Sequence, residues 1–305
     1  MTGKPTILIL LRHYLPGYKS GGPVRTIANM IDIILADYFN ILIITFDRDA
    51  LDKVAYPNVK VNQWNTVGKA QVFYCSPKRV TMKIFKILRK TPYDIIYINS
   101  LFDLTYSIFP IIARYLFLIP KRPLIIAPRG ELSKGAIKIK SIKKKLFLLL
   151  SKLLGLHKKL IWQASSEFEK QDIERELGNM SKKIIIASDI ANSLNFHNKK
   201  TPYKFRDKGS PLRLIFLSRI TIKKNLHFAL EILSGITIPI CFDIFGPIGD
   251  TNYWEKCLKI IELLPNNVKV TYKGYIENSE VQNKMSLYDL FFLPTSGENY
   301  GHVIS

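Results

Sequence analysis

The sequence predicts an α/β fold in two domains, and three observations support this prediction. Short apolar runs rich in isoleucine and valine alternate with helical stretches, a pattern typical of βαβ units with a mostly parallel sheet. Most runs are continuous rather than alternating, as expected for strands that are covered on both faces. The length of 305 residues allows two hydrophobic cores. The predicted strands are Ile7–Leu11, Ile41–Phe46, Ile95–Ile98, Leu124–Ala127, Leu160–Gln163, Ile184–Ala187, Leu214–Ser218, Ile240–Phe245, Val268–Lys273 and Leu290–Leu293.

The polar segment from Asn195 to Pro211 is the predicted boundary between the domains. It is charged and is broken by proline and glycine, which favours a linker over regular structure. We therefore predict a first domain over residues 1–195, a linker over residues 196–211 and a second domain over residues 212–305.

The composition favours a reducing compartment and an anionic partner. The three cysteines are odd in number and widely spaced, so they predict neither a disulfide framework nor a metal site. The apolar stretch from Leu101 to Pro120 is interrupted by Asp103 and Arg114, which predicts a core helix rather than a membrane span. The formal net charge of +21 predicts attraction to phosphates, anionic lipid or nucleic acid without choosing among them.

Two short motifs in the first domain each allow two interpretations. Gly21 and Gly22 precede a proline and an amphipathic helix, so they suit close approach to an anion, but a simple helix cap explains them equally well. Asp47 and Asp49 form a D-x-D triplet directly after a strand, which suits Mg²⁺ bound to a diphosphate. Matches of this length are common by chance, so a solvated strand end is the favoured interpretation of the triplet.

The segment from Lys121 to Leu160 is strongly basic, with twelve basic residues and one acid, Glu131. One helical face carries only apolar residues, and lysines recur every seven positions along another. Such a helix docks on an anionic membrane, where each lysine contributes about 1 kcal/mol, or packs its apolar face in the core, and both can hold. Leucines rather than aromatic residues alternate with the lysines, which argues against nucleic acid. The apolar residues are Ile142, Leu146, Leu149, Leu153 and Leu156, and the lysines are Lys138, Lys145, Lys152 and Lys159.

Two stretches in the second domain place charged side chains at strand ends. A strand ends at Arg219, and Lys224 follows five residues later, just before an amphipathic helix. The last apolar run ends at Pro294, passes a small polar loop and reaches Glu298 and Gly301, where a helix is predicted to begin. A helix start directs backbone N–H groups at an incoming anion, here with a carboxylate beside them.

Together these stretches resemble the family 4 (group 1) retaining glycosyltransferases of the GT-B fold. The resemblance rests on residues 14–25, 127–132, 164–169, 214–226 and 290–305. It implies two Rossmann-like domains that face a cleft, with acceptor contacts mainly in the first domain and donor contacts mainly in the second. The second domain is expected to be incomplete, because the family's second glutamate would fall at position 306 and the chain stops at Ser305. A fragment of this kind is expected to bind donor poorly and to turn over little.

The resemblance also implies the roles of individual residues. Arg219 and Lys224 would neutralise the departing diphosphate, with Lys223 as a competing candidate, and Glu298 would support the donor sugar. The leaving phosphate would itself help to remove the acceptor proton, so no separate base, metal or other cofactor is implied. Arg129, where the family often has histidine, would face the acceptor, and a structural salt bridge is its alternative role. The implied donor-binding residues are Gly21, Gly22, Gly246, Tyr275, Ser296, Gly297, Asn299, Tyr300 and Gly301.

Some positions depart from the family pattern or have a structural explanation. The family usually has glycine before the arginine and often after the lysine, whereas this chain has Ser218 and Asn225 there. Ser166 and Glu169 resemble a family signature, but they also have the spacing of a helix capping box, and we favour this structural role.

The expected function is therefore transfer of a sugar, with retention of configuration, from a nucleotide-diphosphate donor to a glycan or lipid-linked acceptor. This is a hexosyltransferase-type activity in bacterial surface polysaccharide or lipopolysaccharide biosynthesis. The protein is expected at the cytoplasmic face of the plasma membrane, in peripheral contact with anionic lipid through Lys138 to Lys159 and without a nucleic-acid partner. The alternative is a non-catalytic basic α/β protein bound to anionic membrane or nucleic acid.

Overall fold

The computed structural model describes residues 3–50, 52–138, 141–178, 181–190, 209–277 and 280–297. The chain divides into two compact units, the first drawn mainly from residues 1–192 and the second mainly from residues 193–298. Each unit has a mostly parallel sheet with helices packed against it, which confirms the predicted α/β class. Among the described residues, no helix is both long enough and apolar enough to cross a membrane.

The first unit is built on a sheet whose described part has eight strands. They are β1 (Thr6–Leu10), β2 (Asn40–Phe46), β3 (Trp64–Val67), β4 (Ala70–Cys75), β5 (Ile95–Ile98), β6 (Leu124–Ile126), β7 (Ile161–Ala164) and β8 (Ile184–Ile186). Their order in the sheet is β3-β4-β2-β1-β5-β6-β7-β8, and only the β3–β4 pair is antiparallel among these strands. The central runs are buried on both faces, as their continuous apolar sequences predict.

The β3–β4 hairpin is the part of this sheet that the apolar runs do not predict. Its strands carry polar side chains between the apolar ones, and the chain turns at Gly68. The φ of Gly68 is +55°, in the left-handed region that glycine adopts without strain. A hairpin at a sheet edge needs no continuous apolar run, because one side of it faces water.

Helices cover both faces of this sheet. They are α1 (Gly22–Met30), α2 (Ala36–Tyr38), α3 (Val80–Lys90), α4 (Phe109–Tyr115), α5 (Lys134–Lys138), α6 (Ser141–Leu154) and α7 (Glu167–Leu177). α1 packs against one face, whereas α3, α4, α6 and α7 pack in the core of the other face, which includes Trp162. The predicted core helix in the stretch from Leu101 to Pro120 is confirmed, because α4 buries Ile111 and Ala113.

The second unit has a parallel sheet with four strands among its described residues. The strands are β9 (Leu212–Leu217), β10 (Ile240–Phe245), β11 (Val268–Gly274) and β12 (Leu290–Phe291), and the helices are α8 (Leu226–Ser234), α9 (Thr251–Glu262) and α10 (Val281–Met285). The strand order is β11-β10-β9-β12, and Phe216 and Phe242 lie fully buried in the main core. Because the strands are parallel, the loops that follow them meet at one edge of the sheet.

Candidate functional site

Two loops that are far apart in sequence meet at the carboxyl ends of β9 and β12. These strands are parallel neighbours, so both loops leave the same edge of the sheet. The Lys223 carbonyl accepts hydrogen bonds from Ser296 N at 2.9 Å and from Thr295 Oγ1 at 3.1 Å. Asn225 Nδ2 donates to the Pro294 carbonyl at 3.0 Å. The turn between β9 and α8 therefore lies against the loop that follows β12, and we call residues 218–225 and 294–297 the joined loops.

Asn225 explains how the first of these loops turns without a glycine. Its φ is +60°, in the left-handed region that asparagine adopts more readily than other residues with a side chain. A short 3₁₀ turn, Ile222–Lys224, precedes it, and both predicted lysines, Lys223 and Lys224, are half-buried there. Asn225 thus allows this turn in the place where the family resemblance leads one to expect glycine.

Arg219 lies at the start of the joined loops, and its side chain packs against the backbone of the loop that follows β10. A Cβ on Gly249 would come within 2.8 Å of Arg219 Cγ, so only glycine leaves room for this side chain. Arg219 is exposed, yet enough protein surrounds it for desolvation to lower the pKa of its guanidinium. In the part of the chain that the structure describes, no carboxylate forms an ion pair with Arg219. A bound anion could form the ion pair that no carboxylate of the described residues forms, so the position of Arg219 suits a phosphate.

Gly246, a predicted donor-binding residue, has a structural reason to be glycine. Its φ is +132°, and a Cβ there would overlap the Ser218 carbonyl oxygen. Gly246 N donates to the Gly274 carbonyl at 2.8 Å, and Tyr272 Oη donates to the Gly246 carbonyl at 2.9 Å. The close approach of the loops after β9 and β10 therefore requires glycine here, whatever the site binds. Tyr275, another predicted donor contact, lies exposed just beyond β11.

The predicted glycine loop of the first unit is held by a buried aspartate. Asp49 Oδ2 accepts hydrogen bonds from the backbone N–H groups of Tyr18 at 2.7 Å and of Lys19 at 2.9 Å. Gly21 follows with a φ of +73° and open space where a Cβ would lie, and α1 begins at Gly22. The loop is thus fixed from within, while its glycine leaves room for a ligand near the start of the helix.

The D-x-D triplet is part of this support rather than a solvated strand end. Asp47 is 2% exposed and accepts a hydrogen bond from Arg48 Nε at 2.8 Å, and Asp49 holds the glycine loop. Both carboxylates are buried, so the solvated strand end favoured from the sequence is wrong. Among the described residues, no group of three or more histidine, cysteine, aspartate or glutamate side chains is arranged to hold a metal ion.

Arg129, the predicted acceptor contact, is buried in a hydrogen-bond network. It forms an ion pair with Asp189, which is also buried. Arg129 Nε donates to Asn99 Oδ1 and Nη2 donates to Tyr97 Oη, each at 2.7 Å. Thr26 Oγ1 donates to Asp189 Oδ2 at 3.2 Å. The ion pair that the sequence leaves as the alternative for Arg129 is therefore the interaction that the structure shows.

Two glutamates, Glu131 and the buried Glu169, hold the strand-end loops of the first unit together. Glu131 accepts hydrogen bonds from two backbone N–H groups after β5, and burial raises its pKa. Glu169 accepts hydrogen bonds from Gly130 N at 2.5 Å and from Ser165 N at 2.8 Å. Ser166 Oγ accepts a hydrogen bond from Glu169 N at 3.2 Å, which confirms the predicted helix cap. The capping-box spacing is the signal in the sequence that points to this arrangement.

Part of the predicted site lies outside the described residues. This part comprises Glu298, Asn299, Tyr300 and Gly301. Most of the predicted linker, which is not part of the site, also lies outside the described residues, within residues 191–208. The described chain reaches Gly297, so the joined loops end one residue before the predicted glutamate.

Comparison with known proteins identifies a fold but no family. No protein-family model matches this sequence, and no curated protein matches it. The solved structure of Anabaena HepE with UDP and glucose is 16% identical, with a TM-score of 0.68 over 98% of this chain and 77% of that chain. Sucrose-phosphate synthase from Thermosynechococcus elongatus is 13% identical, with a TM-score of 0.68 over 99% and 78%. The lipopolysaccharide outer core galactosyltransferase WaaB, in its apo form, is 13% identical, with a TM-score of 0.58 over 98% and 77%.

The fold is GT-B. This confirms the fold that the strand-end motifs predict. At identities of 13–16%, structural similarity establishes the fold alone, so the reaction has to be argued from the site.

Proposed function

We propose that this protein is a family 4 retaining glycosyltransferase that moves a sugar from a nucleotide-diphosphate donor to a glycan or lipid-linked acceptor. The GT-B fold supports a nucleotide-sugar transferase, because similar solved structures include HepE with UDP and glucose and a lipopolysaccharide galactosyltransferase. The retaining reaction and an acceptor in surface polysaccharide or lipopolysaccharide biosynthesis are supported by the strand-end motifs and by the charge of the chain.

The observation that carries the proposal is the contact between the joined loops. Hydrogen bonds hold the turn that bears Lys224 against the loop that leads towards Glu298. In parallel α/β sheets, ligands bind outside the carboxyl ends of the strands, which is where these loops lie. A nucleotide sugar places an anionic diphosphate beside a neutral sugar. The joined loops place cationic side chains beside a small polar loop, so the two arrangements are complementary.

Arg219 and Lys224 supply the positive charge that such a reaction requires. Negative charge on the diphosphate grows as its bond to the sugar breaks, so cations at this point stabilise the transition state more than the bound substrate. Desolvation lowers the pKa of Arg219, and an adjacent anion favours its charged form again. Each hydrogen bond to a charged group contributes about 1.5–3 kcal/mol.

The proposed transfer takes place on one face of the sugar. The acceptor oxygen forms its bond to the anomeric carbon on the side from which the diphosphate departs, and the acceptor proton passes to the leaving phosphate oxygen. Glu298 would stabilise the sugar during this step, and the backbone N–H groups of Asn299 to Gly301 would bind its hydroxyls or the phosphate. The reaction then needs neither a separate base nor a metal ion.

Binding of nucleotide sugars tests the donor site. We expect one of the UDP-, GDP-, ADP- or CMP-sugars to raise the unfolding temperature of the complete gene product. Arg219→Met and Lys224→Met should each lower kcat/KM by about 100-fold, the effect of removing one group that stabilises transition-state charge. Lys256→Met removes an exposed lysine of α9 in the same unit and is the matched control, with wild-type values expected.

Two outcomes would contradict the proposal. The absence of a shift with every nucleoside diphosphate and nucleotide sugar would favour a non-catalytic basic protein instead. The anomeric proton of the product, followed by NMR from the start of the reaction, should show the configuration of the donor. An inverted product would exclude the retaining reaction while leaving a transferase in place.

We further propose that the enzyme works at the cytoplasmic face of the plasma membrane. A lipid-linked acceptor is anchored there, and the formal net charge of +21 favours an anionic surface.

A further inference from the structure

Helix α6 presents a stripe of apolar side chains to solvent. Ile142 is 82% exposed, Leu146 is 53%, Leu149 is 55% and Leu153 is 74%. At 3.6 residues per turn, these four side chains fall within an arc of about 60°. The alternative that this stripe packs in the core is therefore wrong. A contiguous exposed apolar surface marks an interaction site, and we call these four residues the α6 stripe.

The contacts of α6 with the protein come from its opposite side. Leu148 is buried, and the ring of Phe147 packs edge-on against Phe102 at 5.9 Å between centroids. Lys144 Nζ lies 5.0 Å from the centre of the Phe102 ring, so this lysine also faces the protein. Leu156, which the sequence pattern groups with the stripe, lies beyond the end of α6 and is buried. The α6 stripe therefore points away from the core.

Lysines border the α6 stripe on both sides. By helical geometry, Lys143 lies about 100° from the first residue of the stripe, and Lys145 and Lys152 lie about 60–80° from it on the other side. All three lysines are exposed. An apolar centre between two cationic borders is the arrangement of a helix that lies in the plane of an anionic membrane surface.

The basic border continues into a surface groove between α5, α6 and α7. The groove has a volume of about 360 Å³ and is lined by Lys134, Ile137, Lys138, Lys145 and Glu176. Glu176 is already paired with Arg175, with Oε1 at 2.9 Å from Nε. Positive charge therefore prevails in the groove, which suits an anionic lipid head group.

The turn after α4 adds a second apolar group to this side of the first unit. Leu116, Phe117 and Leu118 are each at least 50% exposed, and Lys121 Nζ lies 4.7 Å from the centre of the Phe117 ring. α4 joins β5 to β6, α6 joins β6 to β7, and both helices bury residues in the same core. Right-handed crossovers between neighbouring parallel strands place such helices side by side. The turn and the α6 stripe thus belong to one outer layer.

We propose that this surface docks on an anionic lipid bilayer, with α6 lying in the plane of the interface. The leucines enter the boundary of the acyl chains, and the lysines contact the head groups. A second copy of this chain is a poorer occupant, because it would bring two rows of lysines together. Docking does not depend on the donor site. Only its purpose, to bring a lipid-linked acceptor to the enzyme, rests on the proposed function.

Vesicle binding tests the docking surface without the transferase reaction. The complete gene product should bind vesicles that contain phosphatidylglycerol, and should bind pure phosphatidylcholine at least about tenfold more weakly. Lys145→Gln with Lys152→Gln should weaken binding to the anionic vesicles by about 25-fold, which corresponds to about 1 kcal/mol for each lysine. Leu149→Gln with Leu153→Gln should weaken it by about tenfold or more, because the apolar contact is lost.

Controls on α9 separate this surface from charge and apolarity in general. Lys256→Gln with Lys259→Gln, and Leu263→Gln just beyond that helix, alter exposed residues of the second unit and should bind vesicles like the wild type. Arg219→Met should also bind vesicles normally, so that failure of the donor site can be told apart from failure of docking. Circular dichroism checks that each variant is folded.

Three results would overturn the docking proposal. Binding that depends on the lysines but not on the leucines would exclude insertion of the α6 stripe. A dimer that the leucine substitutions abolish, without any vesicle binding, would assign the surface to a second copy. Binding to nucleic acid but not to anionic vesicles would assign the basic residues to a different partner.

Discussion

Arg129 and Arg219 occupy similar places in the two units, yet the structure uses them in opposite ways. Arg129 follows β6 and Arg219 follows β9, so both lie at the carboxyl ends of parallel strands. The Arg129 side chain is 6% exposed and is paired with Asp189, whereas Arg219 is exposed and has no ion pair within the described residues. One arginine joins parts of the first unit, and the other is available to an anion.

This difference shows what decides the role of an arginine at a strand end. A buried arginine needs a partner, because removing a charge from water without one costs several kcal/mol. An arginine that remains near solvent can stay charged without a partner and can bind a ligand later. The arginine proposed to act on the donor is therefore the one that is accessible and has no ion pair within the described part of the chain.

Removing the buried arginine gives the largest expected effect on stability. Arg129→Met leaves the Asp189 carboxylate buried without its partner, and we expect the free energy of unfolding to fall by about 3–5 kcal/mol. Arg219→Met should change the free energy of unfolding by no more than about 0.5 kcal/mol, because Arg219 is an exposed residue. Urea unfolding of both variants measures the contrast.

A double substitution checks that the buried charge is the cause. Arg129→Met combined with Asp189→Leu removes both charges and should recover most of the lost stability. If the double variant is as unstable as Arg129→Met alone, the network acts through shape or through its other hydrogen bonds. If Arg219→Met is equally destabilising, the comparison between the two arginines fails.

The sequence predicts the strands and loops that carry the two arginines, but it does not predict which arginine is paired with a carboxylate. Continuous apolar runs locate the central strands, and the strand-end motifs locate both arginines and the joined loops. The partner of Arg129 is Asp189, 60 residues later, and no local pattern marks it as a buried anion. Pairing of this kind depends on which loops the topology brings together, and that information is not local.

The orientation of α6 could not be predicted for a related reason. The helix has apolar residues on two arcs, one with Ile142 and Leu149 and another with Phe147 and Leu148. Periodicity shows both arcs but does not identify the element that will cover either of them. In the structure, Phe102 from the loop after β5 packs against the second arc, and the first arc remains exposed.

His157 sharpens the comparison, because it is a buried basic group for which the described residues provide no hydrogen-bond partner. Its side chain has no exposed surface, and neither ring nitrogen has a hydrogen-bond partner among the described residues. Burial lowers the pKa of His157 to about 4. At pH values between its unfolded pKa of about 6.5 and its folded pKa, His157 binds a proton in the unfolded chain but not in the folded chain. Stability therefore falls as the pH falls through this window.

The expected loss from His157 is about 2 kcal/mol between about pH 7 and about pH 5. His157→Leu fills a similar apolar space beside Phe147 and Trp162 and has no proton to bind. Urea unfolding at both pH values, in wild type and variant, isolates this contribution, because other titrating groups affect both proteins alike. An equal pH dependence in the two proteins would show that His157 binds its proton in the folded state as readily as in the unfolded state.

Asn225 tests the joined loops with the smallest expected effect. Its backbone is left-handed, so Asn225→Ala pays a steric cost that Asn225→Gly does not, and both lose the hydrogen bond to the Pro294 carbonyl. We expect the alanine variant to be less stable than the glycine variant by about 1 kcal/mol, as measured by thermal unfolding. Because the bond to Pro294 is absent from both variants, the loss of that bond does not contribute to their difference. Equal stability would mean that residue 225 does not need a left-handed backbone, and Arg219, which has no ion pair among the described residues, would then remain as the anion-binding group of the comparison.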